Sequence, residues 1–402
     1  MIVVERHEVL VVGAGNAGVS LAAKLLKDGA RDVAVVDRRQ VHRYRPLLNY
    51  VGSGEATTAD LERAQHEVLP SAATWVRDDV ASVDPGARTV TLGGGRTLGY
   101  GTLVLATGLP EDWDAVPGLR AAYDAGWAGS TFVDTSAVRV WPALRDLARG
   151  TVVFTIPPEP APCGATALKP LLMACEHWQR AGVLANLDVR LVTPFDSVLD
   201  VPQADERLEP ILASYGVQVH HASRVATVDA ANRSLTLSTP DGEETLDDVA
   251  FAHVVPPYRA PRWVEDAGLG TGPAGLVDVD PETLRHHRHP DVWALGDVAN
   301  HGTRSSGGAL RDQVKVLAHN LAAVHNAGGP AADAELHRYD GYTVMPITTS
   351  RQRLLLVEVD REGRSSPSAP FVDLTRPRRS TWLFDRYGLL QVYYRRILRG
   401  RV

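Results

Sequence analysis

Two runs of alternating apolar strands and helices, one opening on a glycine-rich turn and the other on a proline-rich one, predict an α/β chain. The expected architecture is two Rossmann-like three-layer domains, the second without its glycine loop, followed by a C-terminal amphipathic helical tail. At 402 residues the chain is too long for one ordinary domain. The first domain is expected over residues 1–110 and again over 275–330, with the second inserted at 111–274 and the tail at 331–402. A composition of 44% hydrophobic and 22% charged residues is that of a soluble globular protein. The net charge of −6 and a pI near 6.2 supply no basic face for nucleic acid. No stretch reaches the roughly 18 apolar residues of a spanning helix, and the run Val9–Val12 is too short for a secretory signal. A cytoplasmic protein, at most peripheral at the inner face of the membrane, is expected. Cys163 and Cys175 are the two cysteines, so there is neither a disulfide framework nor a zinc spacing.

The stretch VLVVGAGNAGVSLAAKLL joins an apolar strand to a proline-free helix through Gly13-x-Gly15-x-x-Gly18. A second strand, DVAVVDRR, ends at Asp37, 19 residues past Gly18, with Arg38 beside it. That order is a dinucleotide fingerprint. Gly13 makes the turn, Gly15 lets the backbone approach a pyrophosphate, and Gly18 lets the helix lie close to the strand. Asp37 would accept the adenosine ribose hydroxyls, and Arg38 is placed with it in the cofactor set. NAD and FAD both fit to this point. TLVLATGLP (102–110), ending in Ala106-Thr107-Gly108, and HPDVWALGDVAN (289–300), ending in Gly296-Asp297, resemble the flavin motifs of the two-dinucleotide-domain flavoproteins. The resemblance implies FAD, with Asp297 on its ribityl–phosphate arm and Gln313 in the same cofactor set.

The second module begins FTIPPEPAPCGATALK (154–169). A member of this superfamily that is reduced by NADH or NADPH would carry glycines there. Pro157, Pro158, Pro160 and Pro162 have no N–H for a phosphate, and Glu159 would repel one. The module therefore reads as a nucleotide-binding fold without its nucleotide, which argues against NAD(P)H as electron donor. The histidine-rich RHHRHP (285–290) lacks the carboxylate or cysteine spacing of a metal site and is expected to be a solvated turn. GGG (93–95) reads as a hairpin turn.

Over nearly its whole length the chain resembles sulfide:quinone oxidoreductases. RYRPLLNYVGSGE (43–55), PCGATALK (162–169), RYDGYTVMPITT (338–349) and YYRRILRG (393–400) carry the likeness. In that family two cysteines beside the flavin share bridging sulfur. The first maps to Cys163, where a helix N-terminus and Lys169 are expected to lower the thiol pKa. The second maps to Met345, so the usual bridge cannot form; Cys175, within a helix, is expected to face its packing side. Cys163, Lys169 and Met345 form the expected catalytic set. Where the family usually carries a lysine, this chain has Ser305, with Arg304 next to it.

The resemblance implies an FAD-dependent oxidoreductase that takes a small-molecule substrate and passes electrons to a quinone or O2. Two catalytic readings stay open beside a third, a flavin-holding structural or regulatory protein without turnover. One is a repurposed scaffold oxidising a small sulfur-containing or other organic substrate in a specialised pathway. The other is a genuine sulfide or persulfide oxidase using Cys163 alone. Trp382, Phe384, Leu389, Leu390, Tyr393 and Tyr394 of the arginine-rich tail could meet a membrane or a homodimer partner, or equally cap the far side of the flavin.

Overall fold

The computed structural model describes residues 4–329, 334–369 and 371–401. Its first sheet has seven strands. Glu5–Val12 lies between Val33–Val36 and Thr97–Leu105, all parallel, with Val12 opposite both Val36 and Leu105. Val292–Ala294 joins Thr97–Leu105 from the far side of the chain. These strands are near-continuous runs of Val, Leu and Ala because both faces are covered, as a parallel sheet requires. The GGG turn closes the antiparallel pair Thr89–Leu92 and Thr97–Leu105, as expected.

The second sheet is parallel throughout. Its order is Gln218–His220, Leu187–Val192, Gly150–Thr155, Val249–His253 and Ala128–Gly129. The helix Leu168–Arg180 covers it and tolerates Pro170 in its first turn. Leu171, Leu172, Ala174, Cys175 and Trp178 form its packing face, and Cys175 is fully buried there. A three-stranded antiparallel meander over Arg224–Leu246 flanks this domain.

The return to the first domain comes earlier than the expected boundary at 274. Ala260, Val264 and Leu269 already pack with Leu10, Val12 and Leu103 of the first sheet, because the helix Arg262–Asp266 buries its one apolar edge there. The expected boundary at 330 falls outside the described residues. Beyond it, the hairpin Thr343–Ser350/Arg353–Val359 places Met345, Ile347, Leu355 and Val357 in the core of the second domain. The tail then crosses back. Trp382, Leu390, Tyr393, Ile397 and Leu398 pack into the core of the first domain.

Residues 379–395 of the tail form one continuous helical run. Arg379–Leu383 and Leu389–Arg395 flank a π-helical stretch, Phe384–Gly388, which leaves Leu383, Phe384 and Tyr387 exposed. No helix among the described residues is long and apolar enough to cross a membrane. The RHHRHP turn is less solvated than expected: His286 is buried, and its Nδ1 accepts the N–H groups of Arg288 and His289 at 3.0 and 3.2 Å.

Candidate active site

The glycine turn is shaped for a dinucleotide. Gly13 has φ +107° and donates its N–H to Val36 at 2.8 Å; a Cβ there would lie 2.4 Å from the Ala106 carbonyl oxygen. A Cβ on Gly18 would lie 1.8 Å from the carbonyl of Gly13, so helix and turn meet backbone to backbone. A Cβ on Gly15 would meet nothing within 4 Å. That open face stands at the N-terminus of the helix Asn16–Lys27, which has no side-chain cap. Free N–H groups beside open space are what a pyrophosphate occupies. Gly108, φ +65°, opens onto the same kind of space.

Asp37 and Arg38 fare differently. Asp37 accepts the Ala14 N–H at 2.7 Å and is held by Arg39 at 2.8 Å. Burial raises its pKa, but the Arg39 guanidinium and the backbone donors outweigh that and hold the carboxyl below its ordinary value. Arg38 points away, largely exposed and paired with Asp79. Of the two arginines it is Arg39 that contacts Asp37, because the extended chain after the strand turns alternate side chains to opposite sides. His42 and Gln65 both contact the Ala14 carbonyl, and the other ring nitrogen of His42 meets the Tyr393 hydroxyl at 2.6 Å. Burial pushes His42 down to about 4, so it is neutral at physiological pH. The tail helix is thus fastened beneath the glycine turn.

Gly296, φ +72°, donates its N–H to the Gln313 side chain at 2.8 Å, which fixes the turn that presents Asp297. Burial raises the Asp297 carboxyl, opposed by the Ser305 hydroxyl and the charge of Arg45.

Cys163 lines a narrow cleft whose walls also include Thr166, Arg304, Ser305 and Met345. Its φ of +53° is left-handed, an uncommon state for a non-glycine residue. Thr166 holds that turn, donating both its N–H and its hydroxyl to the Cys163 carbonyl at 2.9 Å. The thiol pKa is not lowered as expected. Burial, and next the charge of Asp297, push it up to about 12, while the Gly307 N–H and Lys169 counter only in part.

Lys169 gives little help because its charge is committed elsewhere. It is buried, its Nζ 2.7 Å from an Asp385 oxygen that also accepts the Tyr50 hydroxyl at 2.7 Å. Lys169 is also absent from the cleft wall. Asp385 and Tyr50 escaped the sequence reading; a lone aspartate among the apolar residues of WLFDRYG was the available signal. The proline loop has little to give a phosphate, since even the Ala161 N–H is taken by Glu159 at 3.0 Å. Among the described residues no group of three or more His, Cys, Asp or Glu could hold a metal ion.

The sequence profile of the pyridine nucleotide-disulphide oxidoreductases matches residues 7–140 and 172–329. The chain belongs to that family. Within this oxidoreductase family its near full-length likeness is to sulfide:quinone oxidoreductases. It is 26% identical to the mitochondrial sulfide:quinone oxidoreductase of Mus musculus over 98% of this chain and 87% of the mouse protein. With that of Dictyostelium discoideum it shares 28% over 98% and 86%. The solved sulfide:quinone oxidoreductase of Aquifex aeolicus superposes with a TM-score of 0.79 at 16% identity, covering 98% of this chain and 92% of that one. The flavoprotein expectation and the expected fold class are borne out. This family member is an oxidoreductase and FAD is its cofactor. The cradle at Gly15 and the turns at Gly108 and Gly296 fit it.

Proposed function

We propose that this flavoenzyme oxidises a small sulfur-containing or other small organic substrate at Cys163, in a specialised pathway rather than as a general sulfide oxidase. Electrons leave through FAD to a quinone or to O2, and NAD(P)H is not the donor. The observation that carries this reading is the single thiol of the cleft. Met345 stands in the wall with Cys163, while Cys175 lies in the core of the second domain. A thioether cannot be deprotonated or carry a bridging sulfur.

Gly13, Gly15, Gly18 and Asp37 would hold the adenosine-diphosphate half of FAD, with Gly108, Gly296 and Asp297 toward the flavin. Bound FAD supplies a two-electron sink. Cys163 keeps its proton at neutral pH, since burial and Asp297 both oppose a thiolate. The resting thiol is thereby protected from adventitious oxidation and alkylation. Proline at 157, 158, 160 and 162, together with the occupied Ala161 N–H, supports independence from NAD(P)H. Exposed Leu383, Phe384 and Tyr387 on the tail support a cytoplasmic protein that meets the inner face of the membrane peripherally. The same patch would also serve a homodimer.

The near full-length likeness to enzymes named for sulfide and quinone favours a second reading, a sulfide or persulfide oxidase working with one cysteine. Cys163→Ser and Cys175→Ser test the role of the thiol in both readings. The first should stay yellow and lose about 10²-fold or more in turnover, as when a nucleophile is removed. The second should keep its turnover. Equal activity in the two variants would show that the chemistry bypasses the thiol.

A further inference from the structure

Arg304 is held as if for a ligand. Its Nη2 donates to the Leu199 carbonyl at 2.5 Å, its guanidinium lies 4.6 Å from the Phe195 ring centroid, and its own carbonyl accepts the Thr343 hydroxyl at 2.8 Å. The side chain is therefore fixed in place. Its Nη1, out of contact with solvent, has no hydrogen-bond partner. The carboxylate nearest to it, Glu159, stands 4.0 Å from Nε, too far for a hydrogen bond. A buried guanidinium N–H without a partner is costly and is normally satisfied by a ligand or an ordered water. Arg304 also lines the cleft of Cys163 and Met345.

Resting on the reading of that cleft as the substrate site, we infer that Arg304 is a specificity-determining residue selecting a small substrate with an anionic oxygen group. A carboxylate-bearing thiol has this chemistry. Its carboxylate would meet Nη1 and its sulfur would face Cys163. The cleft is narrow, which limits the substrate to a very small one, and Met345 gives its wall an apolar part. Glu159 and the Asp297 carboxyl both oppose an anion in this cleft, so Arg304 is the group that decides the sign of the preference.

The test is anaerobic titration of the yellow holoenzyme with mercaptoacetate and with its neutral counterpart mercaptoacetamide, reading the half-saturation point from the flavin spectrum. In the wild type mercaptoacetate should saturate at a concentration roughly 10- to 100-fold lower, the worth of one hydrogen bond to a charged group. Arg304→Gln should bring the two thiols to within about threefold, and Arg304→Lys should keep part of the preference. Glu159→Gln should widen it, and that variant decides the matter if Arg304→Gln fails to retain FAD. Equal half-saturation in the wild type, a preference that survives Arg304→Gln, saturation by neither thiol, or no change in Glu159→Gln would each overturn the inference, leaving Nη1 to an ordered water. The underlying reading fails separately. A charge preference accompanied by undiminished turnover in Cys163→Ser would remove the thiol from the chemistry and leave Arg304 in its role.

Discussion

Removing the carboxylate from Asp385 is the most informative perturbation of the architecture around the cleft. Lys169 belongs to the helix behind Cys163, Tyr50 to the first domain and Asp385 to the tail, so one carboxylate oxygen joins three parts of the chain. Both charged groups are almost completely buried, at 1% and 5% side-chain exposure. Asp385→Asn would strand the ammonium in the interior, at a cost of about 3–5 kcal/mol. Lys169→Met combined with Asp385→Leu removes both charges and should lose far less, since apolar replacements of whole buried pairs are often neutral or stabilising by about 1–4 kcal/mol. A chain of several domains need not unfold in two states, so a local measurement is required. Native-state hydrogen exchange over Leu389–Arg395 supplies it. In Asp385→Asn those amides should exchange roughly 10²- to 10³-fold faster, and in the double variant near the wild-type rate. Unchanged exchange in the single variant, or an equal acceleration in both, would refute the claim that this pair fastens the tail.

Alkylation of Cys163 in the holoenzyme should accelerate roughly tenfold per pH unit without levelling below about pH 10, because the thiol is pushed up to about 12; a plateau near neutrality would mean a stabilised thiolate. Met345→Cys should gain sulfide-dependent flavin reduction or a sulfur bridge to Cys163 visible by intact mass, and wild-type turnover of sulfide to a quinone at an equal rate would favour the one-cysteine sulfide oxidase. Gly15→Ala should fold but lose FAD, whereas Gly18→Ala should fail to fold, since its Cβ would sit 1.8 Å from a backbone oxygen; yellow Gly15→Ala protein would contradict the placement of the pyrophosphate. Burial lifts the Glu55 carboxyl from 4.5 to about 7 against the pull of Arg351 and Arg386. Because the folded state then binds the extra proton, stability should fall as pH rises from about 4.5 to about 7 and stay level above, and thermal unfolding of Glu55→Gln should lack that slope.

What could be read in the sequence was whatever short-range chain geometry dictates. Gly13, Gly15 and Gly18 are tied to one turn, and the acid at 37 to the end of the next strand. The loss of the glycine loop is written in four prolines within six residues. The electrostatics of the site were not legible, because they are set by groups far apart in the chain. Lys169 stands next to the cysteine loop, yet its partner is 216 residues away, and that distant carboxylate leaves the thiol with little cationic help. Asp297, brought in by the returning strand, pushes the same thiol further up. Arg38 and Arg39 differ only in which way an extended backbone turns them. The early return to the first domain at Ala260 was hidden because Arg262–Asp266 is too short to announce its packing face.

The central claim is that this member of the family is reduced at a single thiol and not by a nicotinamide. The measurement that bears on it most directly is anaerobic, rapid-mixing reduction of the yellow wild-type protein and of Cys163→Ser by a small thiol and by NADH, followed in the visible flavin band. The thiol should bleach the wild type and react far more slowly with Cys163→Ser, and NADH should give no useful reduction of either protein. Rapid stoichiometric bleaching by NADH, or equal rates with the thiol in the two proteins, would contradict the central claim.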